Sequence, residues 1–228
     1  MGVVRDLWEF LTTGSNWSGS NGIWARTWAH AWISLVSVLI ASAIAVPAAV
    51  VLAHRRLLPV VSVAMVNIGR AVPSFAIVAL VLPFSIRYGF GLGFWPTAVA
   101  LVALAVPPIY TNTFAGIAGT SPQLVEAATG IGMTGRELLV RVELPVALPL
   151  ILTGLRISVV QVIATATLGA LVGYQCLGSY ILEGLAQPTR ARDRLIGGAA
   201  LVTAMAVMAE LALGRLEPRL LPWSRRLR

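Results

Sequence analysis

The residues of this sequence that are capable of catalysis or metal binding are few and lie far apart. His30 and His54 are its two histidines, and they would be roughly 36 Å apart in one helix at about 1.5 Å per residue. Cys176 is its single cysteine, so neither a thiolate metal site nor an internal disulfide is expected. The motifs typical of serine hydrolases and zinc proteases are absent. The sequence therefore predicts no catalytic residue, no metal site and no cofactor of its own, and it argues against an enzyme.

Charged residues inside apolar stretches indicate a different kind of chemistry, that of ion pairs within a membrane. Arg70, Arg156 and Glu210 lie in such stretches, where an unpaired charge costs several kcal/mol. Arg156 and Glu210 would lie roughly 13 Å and 9 Å from the inner ends of their helices, at about 1.5 Å per residue. Because these depths are similar, we expect the two side chains to form an ion pair that joins the helices.

Three polar side chains lie near the middle of the helix that carries Arg156. They are Gln161, Thr165 and Thr167. Polar side chains at such positions either form hydrogen bonds between helices or line a polar path through the membrane. The sequence leaves both interpretations open.

The elements that position these residues are membrane helices. The chain is 57% hydrophobic and 11% charged, whereas soluble domains carry about 25% charged residues. A membrane helix needs about 20 apolar residues, and five stretches satisfy this requirement: 28–53, 58–86, 96–118, 146–172 and 195–216. Gly69, Pro73 and Pro83 interrupt the second stretch and predict a kink or a short preceding helix. The fold class is therefore all-α, a polytopic bundle of about five membrane-spanning helices.

The positions of the arginines predict the orientation in the membrane. All 17 basic residues are arginine. With the C-terminus placed inside, the inside segments hold nine arginines and the outside segments hold six, which favours an N-out and C-in topology. The predicted organisation is an amphipathic interfacial segment at 1–27, a transmembrane domain at 28–216, and a basic cytoplasmic tail at 217–228. We expect a multi-pass protein of the bacterial inner membrane.

The absence of lysine excludes two kinds of chemistry. A P-loop requires a lysine that reaches the nucleotide phosphates, and Schiff-base chemistry also requires one; this sequence contains none. If ATP drives this protein, another subunit must bind it. The net charge of +8 resides in loops between apolar stretches, so we expect a lipid bilayer and not nucleic acid as its surroundings.

The longest polar stretch between two membrane helices, residues 120–145, is expected in the cytoplasm. Ser121 followed by a proline predicts the start of one short helix. Thr134, with Glu137 three residues later, forms a capping box for a second. Gly132 lies in the turn between them, and Pro145 is expected to begin the fourth membrane helix. Such a segment either packs on its own bundle or docks into a groove of a partner.

The spacing of residues in this segment resembles the EAA motif of permease subunits of ABC importers. Val142 stands where the motif has isoleucine. The resemblance implies the type I importer permease fold, with this segment as the coupling loop that inserts into an ATPase subunit. The residues that carry the motif, and that are thereby expected to couple to the ATPase, are Glu126, Ala127, Ala128, Gly132, Leu144 and Pro145.

The same resemblance implies a set of partners. These are ABC ATPase subunits that bind ATP and magnesium, a second permease subunit that is identical or homologous, and an extracytoplasmic substrate-binding protein. ATP hydrolysis would then take place in a partner and not in this chain.

Three stretches look most like the osmoprotectant branch of that family, which imports glycine betaine, choline, carnitine or proline betaine. They are 70–75, 142–149 and 160–168. The turn Tyr174-Gln175-Cys176 departs from the glycine-rich turn that is usual in the branch. The expected function is therefore import of an osmoprotectant. The alternatives are a permease for methionine or another amino acid, and, outside this class, a membrane-embedded enzyme or a channel.

Overall fold

The computed structural model describes residues 2–57 and 73–220. Over these ranges the ordered elements are helices, joined by short turns. In chain order they are α1 (Val3–Thr12), α2 (Ile23–His54), α3 (Ser74–Arg87), α4 (Phe94–Ala118), α5 (Pro122–Gly130), α6 (Gly135–Leu138), α7 (Leu144–Thr165), α8 (Leu177–Ala186) and α9 (Arg192–Leu220). The predicted all-α fold is confirmed.

Four helical segments of the described chain are long and apolar enough to cross a membrane. They are Ile23–His54, Phe94–Ala118, Gly135–Val172 and Arg192–Arg219, and they contain four of the five predicted stretches. The helix α3 is apolar but has only 14 residues. It covers the end of the predicted stretch 58–86. The part of that stretch from 58 to 72, with Gly69 and Arg70, lies outside the described residues. These helices agree with a bundle of about five spans.

The α-helix α7 begins at Leu144 with Pro145 in its first turn, as expected. Helical backbone also continues upstream of it, which was not expected: a continuous segment of 38 residues runs from Gly135 to Val172 and contains α6 and α7. The two are joined by a π-helical turn, Leu139–Glu143. Pro145 has no N–H for the carbonyl of Arg141, and a wider turn at this point lets the helix continue past the proline.

The core of the bundle is α4, which packs between α2 and α7. Small residues bring these helices close together: Ala41, Ala45 and Ala49 of α2 are all buried. On α7, a Cβ atom added at Gly154 would lie 2.8 Å from the Cβ of Asn112 on α4. Lipid chains supply little hydrophobic drive for helix association, so close packing of small residues contributes much of the stability.

The N-terminal segment forms a helix, α1, that lies against α9. Phe10 is buried and meets the ring of Tyr180 edge-on, with 5.1 Å between ring centroids. Val4 and Trp8 on the opposite side are exposed. One apolar side thus packs on the bundle while another faces outward, as in a helix that lies at a membrane surface.

An ion cluster joins α7 to α9. The Nε atom of Arg156 donates a hydrogen bond of 2.7 Å to Oε1 of Glu210. A second carboxylate, that of Glu217, lies 3.3 Å from Nη1 of Arg156. Gly214 lies between the two glutamates on α9, and a Cβ added there would be 3.3 Å from Nη2 of the arginine. The structure thus brings Arg156 and Glu210 together and adds Glu217, which the sequence analysis did not include.

We expect the substitution Arg156→Met to lower the unfolding temperature, because it leaves two neighbouring carboxylates without their cation. Adding Glu210→Gln and Glu217→Gln to that variant should restore much of the loss, since no uncompensated charge remains. Thermal unfolding of the detergent-solubilised protein, followed by tryptophan fluorescence, measures both effects. Arg87→Met, at an exposed arginine, is the control. A wild-type unfolding temperature for Arg156→Met would contradict the bracing role.

Substitution of alanine for glycine should lower the stability of the fold at one glycine and leave it unchanged at another. Gly154→Ala should destabilise the fold by about 1–3 kcal/mol, the usual cost of overpacking, because the new methyl group has no space. Gly130→Ala should have no such cost, since a Cβ at this position of α5 meets nothing within 4 Å. Chemical unfolding of both variants in the same detergent tests this difference. Equal stability of the two variants would refute the close approach at Gly154.

Candidate functional site

Four of the six predicted motif residues, Glu126, Ala127, Ala128 and Gly132, lie on α5 and in the turn that follows it. The hydroxyl of Ser121 accepts a hydrogen bond of 3.3 Å from the Leu124 N–H and so caps α5, as expected. After α5, Gly132 has φ +88, a value that favours glycine. The N–H of Met133 then donates to the carbonyl of Ala128 at 3.1 Å. This left-handed turn directs the chain back toward the bundle and leaves α5 projecting from it.

One side of α5 has no packing partner within the described chain. Ala128 is only 5% exposed and is the buried residue of this helix. Glu126 and Ala127 are exposed. The apolar side chains of Leu124 and Ile131 are also exposed, the latter by 77%. An apolar surface with a carboxylate and small residues, displayed on a projecting short helix, is suited to insertion into a groove of a partner.

The second short helix, α6, is held by the predicted capping box. The hydroxyl of Thr134 accepts from the Glu137 N–H, and the Glu137 carboxylate accepts from the Thr134 N–H at 3.0 Å. The Glu137 carboxylate also accepts a hydrogen bond from the Thr134 hydroxyl at 2.9 Å and lies 3.5 Å from Nη1 of Arg141. These contacts stabilise the start of α6.

The π-helical turn packs against the ends of α2 and α4. Leu139 and Leu144 pack against an apolar cluster that includes Val50, Ile117 and Ala147. Leu144 and Pro145, both predicted from the motif, are half-buried here and therefore face the bundle and not the exposed side of α5.

A contact that the sequence analysis missed lies beside this apolar cluster. The Nδ1 atom of His54, at the end of α2, lies 2.5 Å from Oε2 of Glu143 at the end of the π-helical turn. Glu143 is 6% exposed. Positions 54 and 143 are too far apart in the sequence for any local pattern to reveal this pair.

The three candidate pathway residues do not share one environment. Gln161 is exposed on the described chain, on the same side of α7 as the exposed residues Leu150 and Ile157. Thr165 is half-buried where α7 ends. Thr167 lies in the 3-10 segment Ala166–Val172, and its hydroxyl donates to the carbonyl of Ala164 at 2.9 Å. Of the three, Gln161 presents a polar group on the outer side of its helix.

The turn Tyr174-Gln175-Cys176 is anchored to the start of α2. Gly173 has φ +87 and reverses the chain. The Tyr174 hydroxyl then donates to the carbonyl of Ala29 at 2.8 Å, and burial raises the pKa of this phenol to about 12. Cys176 is buried, and this burial raises the pKa of its thiol. The turn is therefore a structural element that packs against α2 through Tyr174 and buries the side chain of Cys176.

A buried arginine near the start of α2 was also missed. Arg26 lies within α2 and is 4% exposed. It pairs with Glu183 of α8 at 2.6 Å and lies 4.1 Å from the ring centroid of Tyr180. Arg194 of α9 contacts the other oxygen of Glu183 at 2.7 Å. Burial raises the pKa of Glu183, but the hydrogen bonds from Arg26 and Arg194 outweigh burial and lower it overall.

Among residues 2–57 and 73–220, no three histidine, cysteine, aspartate or glutamate side chains come together as ligands of a metal ion would. The described residues instead offer an exposed short helix, a bundle of apolar helices and a polar side chain on an exposed helix face.

Comparisons with known proteins agree with this arrangement. The carnitine transport permease protein OpuCB of Listeria monocytogenes is 40% identical over 197 residues, covering 86% of this chain and 87% of that protein. The glycine betaine/carnitine/choline permease OpuCB of Bacillus subtilis is 38% identical, and the choline permease OpuBB of that organism is 39% identical; each match covers 86% of this chain and 88% of the relative.

Solved structures share the fold at lower identity. The inward-facing MetNI methionine ABC transporter matches with a TM-score of 0.74 and 21% identity, over 85% of this chain and 94% of the other. The model of one protein family, described as the inner membrane component of binding-protein-dependent transport systems, matches residues 41–222. A match over this length, together with the relatives above, shows that the chain belongs to that family of ABC importer permease subunits.

Proposed function

We propose that this chain is the permease subunit of an ATP-driven importer of quaternary ammonium osmoprotectants such as glycine betaine, carnitine, choline or proline betaine. The observation that carries this proposal is the identity of 38–40% with three permeases whose names specify carnitine, glycine betaine or choline. An osmoprotectant import permease of Salmonella typhimurium, OsmW, is 32% identical over 86% of this chain.

The exposed surface of α5 supports coupling to a separate ATPase subunit. Glu126 and Ala127 are exposed, Ala128 anchors the helix to the bundle, and Gly132 sets the turn that makes it project. The sequence lacks the lysine of a P-loop, so ATP and magnesium would be bound by the partner. This docking requires α5 to face the cytoplasm, as the N-out and C-in orientation in the inner membrane provides.

The outer side of α7 supports pairing with a second permease, identical or homologous. Gln161 is exposed there, and a polar side chain is costly to place against lipid. A second subunit that faces this side would enclose Gln161 in a path between the two permeases. An extracytoplasmic binding protein would deliver the substrate to the outer end of that path.

Import of methionine or another amino acid is the second candidate. It is favoured by the TM-score of 0.74 with a methionine transporter. At 21% identity this likeness concerns the fold, whereas the osmoprotectant permeases are almost twice as similar in sequence. The sequence comparisons therefore favour an osmoprotectant over an amino acid as the substrate.

Uptake measurements separate these two candidates. We expect cells that express this chain with its partner ATPase and binding protein to accumulate radiolabelled glycine betaine or choline at high osmolarity, and not methionine. The host should lack its own osmoprotectant uptake, and cells without the ATPase partner are the control. Uptake of methionine alone would replace the osmoprotectant proposal with the second candidate.

The coupling role predicts the effect of a double substitution on α5 and its turn. Glu126→Arg with Gly132→Asp should reduce uptake by roughly tenfold or more, since interface hot spots contribute about 2 kcal/mol or more. It should also reduce co-purification with the ATPase, while the amount of protein in the membrane stays the same.

A matched pair of substitutions on α1 and in the turn region after it is the control for this variant. Glu9 is exposed, and Gly19 resembles Gly132 in having φ +86 and nothing within 4 Å of an added Cβ. Glu9→Arg with Gly19→Asp therefore makes the same chemical and backbone changes away from α5 and should leave uptake intact. Normal transport by the α5 variant would refute the coupling assignment.

A further inference from the structure

The contact between His54 and Glu143 links the coupling loop, residues 120–145, to a second membrane helix. His54 is the last residue of α2, and Glu143 is the last residue of the π-helical turn. The imidazole N–H donates to the carboxylate over 2.5 Å. The other side of the ring lies over α6, since a Cβ added at Gly135 would be 3.7 Å from Nε2 of His54. One side chain of α2 therefore contacts the π-helical turn and lies beside the start of α6.

The connection of the loop to α7 is of a different kind. From Gly135 to Val172 the backbone is helical without interruption, so a displacement of α5 passes into α7 through covalent structure. The loop meets α2 through two kinds of contact: the apolar packing of Leu139 and Leu144 near Val50 and Ala53, and the ion pair. Apolar packing has little directional preference, whereas a charge-assisted hydrogen bond fixes an angle as well as a distance.

A cavity lies beside the His54–Glu143 pair, between the coupling loop and the bundle. It has a volume of about 140 Å³ and lies between α5 and the inner ends of α2 and α4. Its lining includes Val125 of α5, Phe114 and Ile117 of α4, and Glu143 itself. Packing between α5 and α4 is therefore incomplete at this point, and the ion pair is the directional contact beside the gap.

We propose that His54 and Glu143 are positioning residues that lock the coupling loop to α2, so that α2 and α7 move together when the ATPase moves α5. The importance of this lock for transport rests on the proposed function, but its effect on the orientation of the loop does not. Glu143 is buried and polar, and its partner belongs to another helix, so loss of the pair releases the angle of the loop.

Distances between two spin labels test the lock without any partner protein. The labels are placed at Arg55→Cys, next to the pair, and at Ile131→Cys, at the exposed end of the coupling loop. The native Cys176 is buried with a raised thiol pKa, so it should not be labelled, and Cys176→Ala verifies this. Pulsed electron resonance in lipid nanodiscs then gives the distribution of distances between the labels.

Three changes at the pair give different expected distributions. His54→Leu should broaden the distribution, because it removes the donor. His54→Asn should keep it narrow, because the asparagine amide can donate from nearly the same place as Nδ1. The double variant His54→Leu with Glu143→Met has no unpaired buried carboxylate, so its thermal stability should recover. Its distribution of label distances should nevertheless stay broad, because the hydrogen bond is still missing. Glu126→Gln, the same kind of change at an exposed glutamate of the loop, should leave the distribution unchanged.

The double variant decides between a lock and a merely stabilising pair. If its distribution returns to the wild-type width as stability recovers, or if His54→Leu never broadens it, the proposal is overturned. In proteoliposomes with the ATPase and binding protein, the lock predicts that substrate moved per ATP falls roughly fivefold or more in the double variant, the lower range of coupling between sites, and that His54→Asn restores it. Failure of the wild type to transport would instead refute the proposed function, while the label distances would still decide the lock.

Discussion

The close packing of α4 against α2 and α7 is the constraint on which the rest of the structure depends. In a bilayer the backbone must satisfy its own hydrogen bonds, and helices attract each other mainly where they approach closely. Gly154 and the buried alanines of α2 permit that approach. With these helices fixed, the end of α2 lies beside the start of α7, and the contact of His54 with Glu143 becomes geometrically possible. The opposite end of the bundle is fixed in the same way, so that Tyr174 reaches the carbonyl of Ala29.

Three contacts between charged side chains connect helices at different heights along the bundle. At one end of the bundle Arg26 joins α2 to α8, between the two ends Arg156 joins α7 to α9, and at the other end Glu143 joins the π-helical turn to α2. Each contact connects two elements that are separated in the sequence. Apolar surfaces can slide over each other at little cost, whereas hydrogen-bonded ions cannot, so these contacts set register within a bundle made largely of alanine, valine and leucine.

Much of this was predictable from the sequence, and the reason is that the signals are local. Apolar stretches of about 20 residues located the membrane helices, and Ser121 and Thr134 located the starts of the two short helices. The similar depths of Arg156 and Glu210 predicted which charges meet, although Glu217 was missed. The partners of His54 and Arg26 were not predictable, because they depend on how distant helices pack. The continuous helix through Pro145 was missed because a proline more often ends a helix than lies beside a π-helical turn.

The π-helical turn Leu139–Glu143 also restricts how this stretch can vary in length. Successive residues of an α-helix are rotated by about 100° around its axis, and a π-helical turn holds one residue more than the α-helical turn that it replaces. Because the wider turn absorbs this extra residue, deletion of one residue that restores a regular α-helix would largely keep the direction of α5. Insertion of a further residue would instead swing α5 around the axis of α7 by roughly that angle. A single deletion is therefore more compatible with function in this stretch than a single insertion.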